Sequence, residues 1–136
     1  MIPVKSEGEL LTPPADAILY MEVTGKWTTI HFTREWVTEG LTDKYGKAKV
    51  IRNDIVVRKA LSDFEPTVEP MGFFRISREF LVNLSKVTQV NKKEREIVLI
   101  SGDRMNVSRE KVKPFMRALR LFNQSARFFL GKNKQH

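Results

Sequence analysis

The chain of 136 residues contains no cysteine and only two histidines, His31 and the terminal His136. Without cysteine there are no disulfides, no thiolate metal sites and no cysteine nucleophiles. Two separate histidines do not assemble a histidine metal cluster or a catalytic triad. No glycine-rich phosphate loop accompanies the carboxylates of the chain. The sequence therefore predicts neither an enzyme nor a bound metal or cofactor.

Long apolar segments are also missing. The first residues, "MIPVKSEGELLTPPADA", have neither the basic start nor the apolar core of a signal peptide. No later segment reaches the length of a membrane span, so we expect a cytoplasmic protein. The length of the chain and an apolar content of 41% suit one domain with a substantial core.

Acidic residues are outnumbered, with 16 Asp and Glu against 24 Lys and Arg, which gives a net charge of +8. The imbalance is largest at the C-terminal end, because nine Lys and Arg residues follow Asp103 and only one acid, Glu110, does so. A basic excess favours a polyanionic partner, although many basic domains bind nothing anionic.

The first half of the chain contains a proline-rich arm and a predicted hairpin. Residues 1–14 end in two consecutive prolines, which are typical of an arm ahead of a domain. "AILYMEV" and "KWTTIHFT" are β-rich runs on either side of a Thr-Gly turn and predict a hairpin. "TDKYGKAK" is a polar loop, and residues 50–66 predict a strand that passes into a short helix stopping before Pro66.

The second half predicts a meander of short strands and a terminal helix. Short turns join five β segments, which are "FFRIS", "FLVN", "VTQVN", "EIVLI" and "RMNVS". Apolar residues at helical spacing then predict an amphipathic helix that begins between Val112 and Phe115. We expect a mainly β domain over residues 15–122, with the helix end and a basic tail over residues 123–136.

The tripeptide Ser-Arg-Glu occurs twice, at residues 77–79 and 108–110, and each copy closes an alternating run. In "FFRIS" the period of two puts Phe74 and Ile76 on one face, which Arg78 would join if the strand continued. Burying an unpaired guanidinium is strongly unfavourable. We therefore expect this strand to end at Ser77.

In "RMNVS", Met105 and Val107 likewise share a face that Arg109 would join if the strand continued. Arg78 and Arg109 should then lie on loops at the ends of two strands. Two such arginines suit bidentate contacts with guanine or phosphate. The alternative is that each arginine pairs with the neighbouring Glu79 or Glu110 and only caps a turn, and spacing alone does not decide between the two.

The stretch "FFRISREFLVNLSKV", followed by a hairpin and "VSREKVKPFMRAL", resembles the LytTR DNA-binding domain of bacterial transcription regulators. The family core reads Phe-x-Arg-(Ile/Val)-His-Arg-Ser-(Tyr/Phe)-(Ile/Leu)-Val-Asn. The upstream "ADAILYMEVTGKWTTIHFT" is similar to the opening hairpin of that domain. Two positions depart from the pattern, since Ser77 stands where the family usually has His and Glu79 where it usually has Ser.

The resemblance implies a mainly β fold, a LytTR-like stack of small antiparallel sheets with short helices and a C-terminal amphipathic helix. It also implies sequence-specific binding of double-stranded DNA through three loops. Carried over by position, the DNA-binding residues are Lys26, Trp27, Thr28, Ser77, Arg78, Ser108, Arg109, Lys111 and Lys113. Arg78 and Arg109 would read base edges in successive major grooves, and the lysines would neutralise phosphates.

Two other functions are compatible with the sequence. One is a β-rich module for RNA or single strands, in which Trp27, Trp36 and Phe73 would stack on bases. The other is a protein or membrane-surface adaptor that uses the apolar and basic tail "ARFFLGKNKQH".

Assembly is predicted from the size of the domain and from the helix. A small domain that reads one short half-site usually binds as two copies on repeated half-sites. The helix also has more apolar residues than one face needs, so we expect residues 116–130 to contact a second copy or a regulatory protein. The alternative is that the N-terminal arm covers this face through Ile2, Val4, Leu10 and Leu11.

Overall fold

The computed structural model describes residues 2–6, 9–34, 36 and 54–131, and for residues 6, 9 and 124–131 it describes only the backbone. The predicted loop "TDKYGKAK" and the basic tail after residue 131 lie outside these ranges. None of the helices formed by the described residues is long and apolar enough to cross a membrane.

The strands and helices follow the predicted order. The strands are β1 (Val4–Ser6), β2 (Glu9–Leu11), β3 (Ile18–Thr24), β4 (Trp27–Phe32), β5 (Asp54–Val57), β6 (Phe73–Arg75), β7 (Phe80–Asn83), β8 (Val87–Asn91), β9 (Glu96–Leu99) and β10 (Arg104–Asn106). The α-helices whose bounds the structure describes are α1 (Leu61–Val68) and α2 (Val112–Gly131). The architecture is mainly β, and α2 begins inside the predicted interval.

The described strands form three antiparallel sheets. A five-stranded sheet has the order β5-β4-β3-β7-β6, and a three-stranded sheet has the order β10-β9-β8. The predicted hairpin is confirmed as β3 and β4, which meet at a turn where Gly25 has a φ of +61°. Glycine adopts this left-handed conformation without the steric cost of a Cβ. The arm forms the third sheet, a small β1-β2 hairpin.

The two faces of the five-stranded sheet are covered by two separate cores. On one face the N-terminal arm and α1 pack against Ile18 and Met21 of β3. On the other face the three-stranded sheet and α2 pack against Leu19 and Tyr20. Because β3 is buried on both faces, its sequence is a nearly continuous apolar run. The arm is thus part of the packed structure, since Ile2 and Val4 are fully buried.

Helix α1 differs from the prediction because it continues past Pro66 to Val68. Proline removes one hydrogen bond of a helix and crowds the preceding turn. Leu61, Phe64 and Val68 are nevertheless all buried against the first core. The free energy gained by burying Val68, on the same face of the helix as Leu61 and Phe64, offsets the lost hydrogen bond.

Strands β6 and β10 also end earlier than predicted, at Arg75 and Asn106. Ile76 and Val107, which follow them, are still buried in the second core. The alternating pattern of the sequence therefore reports which side chains are buried, and the strand pairing ends before the pattern does.

Candidate nucleic-acid interface

One end of the five-stranded sheet brings together loops that are far apart in sequence. Glu22 of β3 pairs with Phe80 of β7, and the backbone N–H of Val23 donates to the carbonyl of Glu79 at 2.9 Å. The turn at residues 25–26 and the loop at residues 77–79 therefore lie at the same end of the sheet. These are two of the three loops that the sequence predicts at the DNA.

The loop at residues 77–79 is held in place by Arg75. The guanidinium of Arg75 donates to the carbonyl of Ser77 at 2.8 Å and to the carbonyl of Arg78 at 2.7 Å. A third donor of the same side chain binds the carboxylate of Glu65 in α1. The hydroxyl of Ser77 accepts from the N–H groups of Glu79 and Phe80 at 3.3 and 3.2 Å. The backbone that carries Arg78 is consequently fixed from both sides.

The segment after β10 lies against this loop. The N–H of Ser108 donates to the carbonyl of Ile76 at 2.8 Å, so the two Ser-Arg-Glu copies are joined through one backbone hydrogen bond. A short 3-10 helix over Arg109–Lys111 follows and leads directly into α2. Arg109 and Lys113 are exposed, and Lys111 is half-buried.

We call the exposed or half-exposed cations of these three loops the basic rim, which comprises Lys26, Arg78, Arg109, Lys111 and Lys113. Elsewhere, Lys86 pairs with Asp16 at 3.1 Å and Arg104 with Glu96 at 2.9 Å. In the part of the chain that the structure describes, no ion pair involves the basic rim. The alternative that Arg78 and Arg109 pair with their neighbouring glutamates is therefore wrong, and both guanidinium groups face solvent.

The other predicted contact residues are placed differently from one another. Trp27 begins β4 beside the turn and is 51% exposed. Thr28 is 0% exposed, and its hydroxyl donates to the carbonyl of Lys59. The alternation of β4 thus turns the side chain of Thr28 inward, away from the exposed surface on which Lys26 and Trp27 lie. Ser77 and Ser108 are both half-buried.

Sequence reasoning missed cations that only the fold brings near the basic rim. Arg58 is exposed directly after β5, whose last residue, Val57, pairs with Thr28 near the same end of the sheet. The turn between β8 and β9 carries Lys92, Lys93 and Arg95. Both groups are visible in the sequence as short runs of charge, but nothing in the sequence shows which end of a sheet they occupy.

The proposed stacking surface for single strands is incomplete. Phe73 is buried in the first core, so its ring is not available to a base. The ring of Trp36 packs on Phe32 with 4.5 Å between ring centroids. Of the three aromatic residues named for this function, Trp27 is the exposed one.

A polar cluster within the sheet has a packing role. The ring of Tyr20 stacks on His31 with 4.2 Å between ring centroids, and the imidazole lies 2.7 Å from the carboxylate of Glu22. Burial raises the pKa of Tyr20 above its usual range, and the charges of Asp103, Glu22 and Asp54 act in the same direction. The phenol therefore stays protonated. Among the described residues, no three His, Asp or Glu side chains are grouped so that they would hold a metal ion.

Comparison with known proteins identifies both a family and a fold. The sequence profile of the LytTr DNA-binding domain matches residues 39–120, which is more than half of the chain. The fold is similar to the solved structure of a LytTr DNA-binding domain from Bacillus cereus, with a TM-score of 0.62 and 19% sequence identity. That alignment covers 87% of this chain and 94% of the other. No curated protein sequence matches the chain.

Proposed function

The chain belongs to the LytTR family of DNA-binding domains, and on this premise we propose that it is a transcription regulator that binds specific double-stranded DNA through the basic rim. The observation that carries the proposal is the geometry of Arg78. Its guanidinium is exposed and has no ion-pair partner among the described residues, while Arg75 holds the backbone beneath it. A DNA-binding regulator acts where the chromosome is, so we also propose a location in the bacterial cytoplasm.

Base recognition is assigned to Arg78 and Arg109. A guanidinium presents its donors in a fixed fork that matches O6 and N7 of guanine in the major groove. The rigid loop around Arg78 reduces the backbone entropy lost on binding. The hydrogen bond between Ser108 and Ile76 keeps the segment of Arg109 next to the loop of Arg78, which supports base contacts by the two arginines in successive major grooves.

Phosphate contacts are assigned to Lys26, Lys111 and Lys113. An ammonium group on a flexible stem acts as a point charge and follows the phosphate backbone without reading sequence. These contacts would set the register of the domain on the duplex. Trp27, beside Lys26, would pack against the sugar-phosphate backbone at the edge of the interface, and the hydroxyls of Ser77 and Ser108 would bind phosphate oxygens.

The proposal is tested by selecting bound duplexes from a random DNA pool and then measuring variants on the selected site. Arg78→Ala and Arg109→Ala should each weaken binding to that site by about 1 to 3 kcal/mol and weaken binding to random DNA much less. Lys113→Ala should weaken both about equally. Arg120→Ala, which removes the same charge from the exposed side of α2, is the matched control.

Two results would contradict the proposal. If the arginine variants keep the full preference for the selected site, base recognition does not involve Arg78 or Arg109. If single-stranded DNA or RNA competes as well as the duplex does, the domain is instead a single-strand binding module.

A further inference from the structure

The turn between β8 and β9 consists of four charged residues, Lys92, Lys93, Glu94 and Arg95. Lys92 and Lys93 are exposed, and Arg95 is half-buried. Arg95 has a φ of +51°, in the left-handed region that a residue with a long side chain rarely adopts. Such a conformation persists only where the surrounding structure holds it, and it is a reason to ask what the turn does.

Hydrogen bonds from two parts of the chain, the end of β10 with the residue after it and the end of β8, hold this turn. The carbonyl of Arg95 accepts from the N–H of Val107 at 2.7 Å. The side-chain amide of Asn106 donates to the carbonyls of Glu94 and Arg95 at 3.2 and 3.3 Å. The side chain of Asn91 accepts from the N–H of Glu94 at 3.1 Å. These bonds fix the backbone that carries Lys92, Lys93 and Arg95, so little backbone entropy would be lost when the turn binds a ligand.

The same hydrogen bonds make the turn continuous with the basic rim. Val107, which holds Arg95, is followed directly by Ser108, whose N–H binds the carbonyl of Ile76 ahead of the loop at residues 77–79. A cleft of about 380 Å³ separates the turn from this loop. Its walls include Ser77, Glu79 and Phe80 from the loop and Arg95 from the turn, together with Arg104.

The cations of the turn are free to bind a ligand. Within the described ranges, Lys92, Lys93 and Arg95 form no ion pair, whereas Arg104 on the facing strand is neutralised by Glu96 at 2.9 Å. Glu94 offsets one of the three positive charges, so the turn contributes a net charge of +2 next to the segment that leads to Arg109. Closely spaced unpaired cations repel each other, and a polyanion would relieve this repulsion.

We propose that the turn at residues 92–95 is a fourth DNA-contacting element, which binds backbone phosphates next to the bases that Arg109 addresses. The inference rests on the proposed function and extends its binding surface. The turn acts on phosphates because its two lysines are flexible point charges and because Arg95 lies across a cleft from the base-reading loop. It sets affinity and register and leaves the sequence preference unchanged.

The test uses the full chain and the selected duplex, with binding measured over a range of salt concentrations. Arg95→Asn removes the guanidinium and keeps a residue that tolerates the left-handed backbone. It should weaken binding to the selected and random duplexes alike, on the order of fivefold, and lower the salt slope by about 0.9. Arg95→Lys should restore most of the affinity. Hydroxyl-radical footprinting should show lost protection of the backbone on one flank of the site.

Lys86→Ala is the control for Lys92→Ala, because Lys86 lies just ahead of β8, at the end of the three-stranded sheet opposite the turn, and is already paired with Asp16 at 3.1 Å. The N–H of Ile100, next to the end of β9 that is farther from the turn, donates to the carbonyl of Lys86. Lys92→Ala should lower the salt slope, and Lys86→Ala should not.

The possible outcomes separate this inference from the proposed function. If the natural protein shows no preference for any duplex, the proposed function fails and this inference fails with it. If the natural protein discriminates but Arg95→Asn and Lys92→Ala bind as it does, this inference alone is overturned. If Arg95→Asn loses only the preference for the selected site, the turn reads bases and the phosphate role is wrong.

Discussion

Arg75 and Arg78 are three residues apart and have opposite surroundings. The guanidinium of Arg75 donates hydrogen bonds to two backbone carbonyls of the loop and to the carboxylate of Glu65. This side chain therefore holds the loop in place. Arg78 lies on the loop that Arg75 holds and points into solvent without a partner among the described residues. At the scale of single residues, the same side-chain chemistry builds the loop in one case and is proposed to contact DNA in the other.

Arg75→Lys is expected to reduce the preference for the selected duplex. An ammonium group does not reproduce the planar fork that spans the carbonyls of Ser77 and Arg78, so the loop becomes mobile. The preference for the selected site over random DNA should fall by about 1 to 2 kcal/mol, while binding to random DNA changes little. Competition binding with the two DNAs measures this difference.

Glu65→Gln is the control for this prediction, because it removes the charge beside Arg75 and leaves the two bonds to the loop in place. It should retain most of the preference. If Arg75→Lys weakens binding to the selected duplex and to random DNA equally, Arg75 stabilises the domain as a whole and does not position Arg78. Thermal unfolding of each variant separates these two roles.

The connection between α1 and β6 shows how one element constrains another. Gly72 has a φ of +95°, and a Cβ at this position would lie 3.0 Å from the ring of Phe122 in α2. The N–H of Leu84 donates to the carbonyl of Gly72 at 2.9 Å, so the backbone has little freedom to move away. Glycine is thus required here both by conformation and by the close approach of α2.

Gly72→Ala is expected to lower the free energy of unfolding by about 2 to 3 kcal/mol, since it combines an unfavourable backbone conformation with a steric clash. Gly102→Ala is the matched control. Gly102 has a φ of +92°, but a Cβ at this position would have nothing within 4 Å, so only the backbone term of about 1 kcal/mol applies. Denaturant unfolding of both variants measures the difference. Equal decreases in the free energy of unfolding would show that the ring of Phe122 moves aside without an energetic cost.

At the scale of the whole molecule, the loops of the basic rim and the turn at residues 92–95 lie close together on a small domain. Leu121 on the outer side of α2 is 59% exposed, whereas Phe122 packs against the second core. The N-terminal arm packs on the opposite face of the five-stranded sheet, in the first core. The prediction that residues 116–130 contact a second copy or a regulatory protein stays a prediction, and the side chains of Phe128 and Leu130 lie outside the described residues.

We expect two molecules to bind a duplex that carries two half-sites about one helical turn apart, because one short half-site gives little discrimination. Sedimentation of the complex measures the stoichiometry. Changing the spacing by about half a turn should abolish cooperativity, because the second copy then faces the other side of the duplex. Removal of residues 123–136 tests the role of the helix end. If the truncated protein binds with unchanged stoichiometry and cooperativity, the helix end is not a partner surface.

The sequence alone determined the kinds of elements and their order. The hairpin of β3 and β4, the meander of β8 to β10 and the start of α2 follow from periodicity and turn residues, which act over a few neighbours. The position of Arg78 on a loop also followed from the sequence, because burying an unpaired guanidinium is unfavourable wherever the strand lies.

The tertiary structure decided what depends on contacts between distant parts of the chain. Burial of Val68 extends α1 past Pro66, and the pairing of β3 with β4 turns Thr28 into the core. One hydrogen bond between Ser108 and Ile76 joins the two Ser-Arg-Glu copies, and another brings Arg95 beside them. Periodicity identifies the buried face of an element but not its neighbours in space. Which loops lie together in the basic rim is therefore determined only by the packing of the five-stranded sheet against the three-stranded sheet.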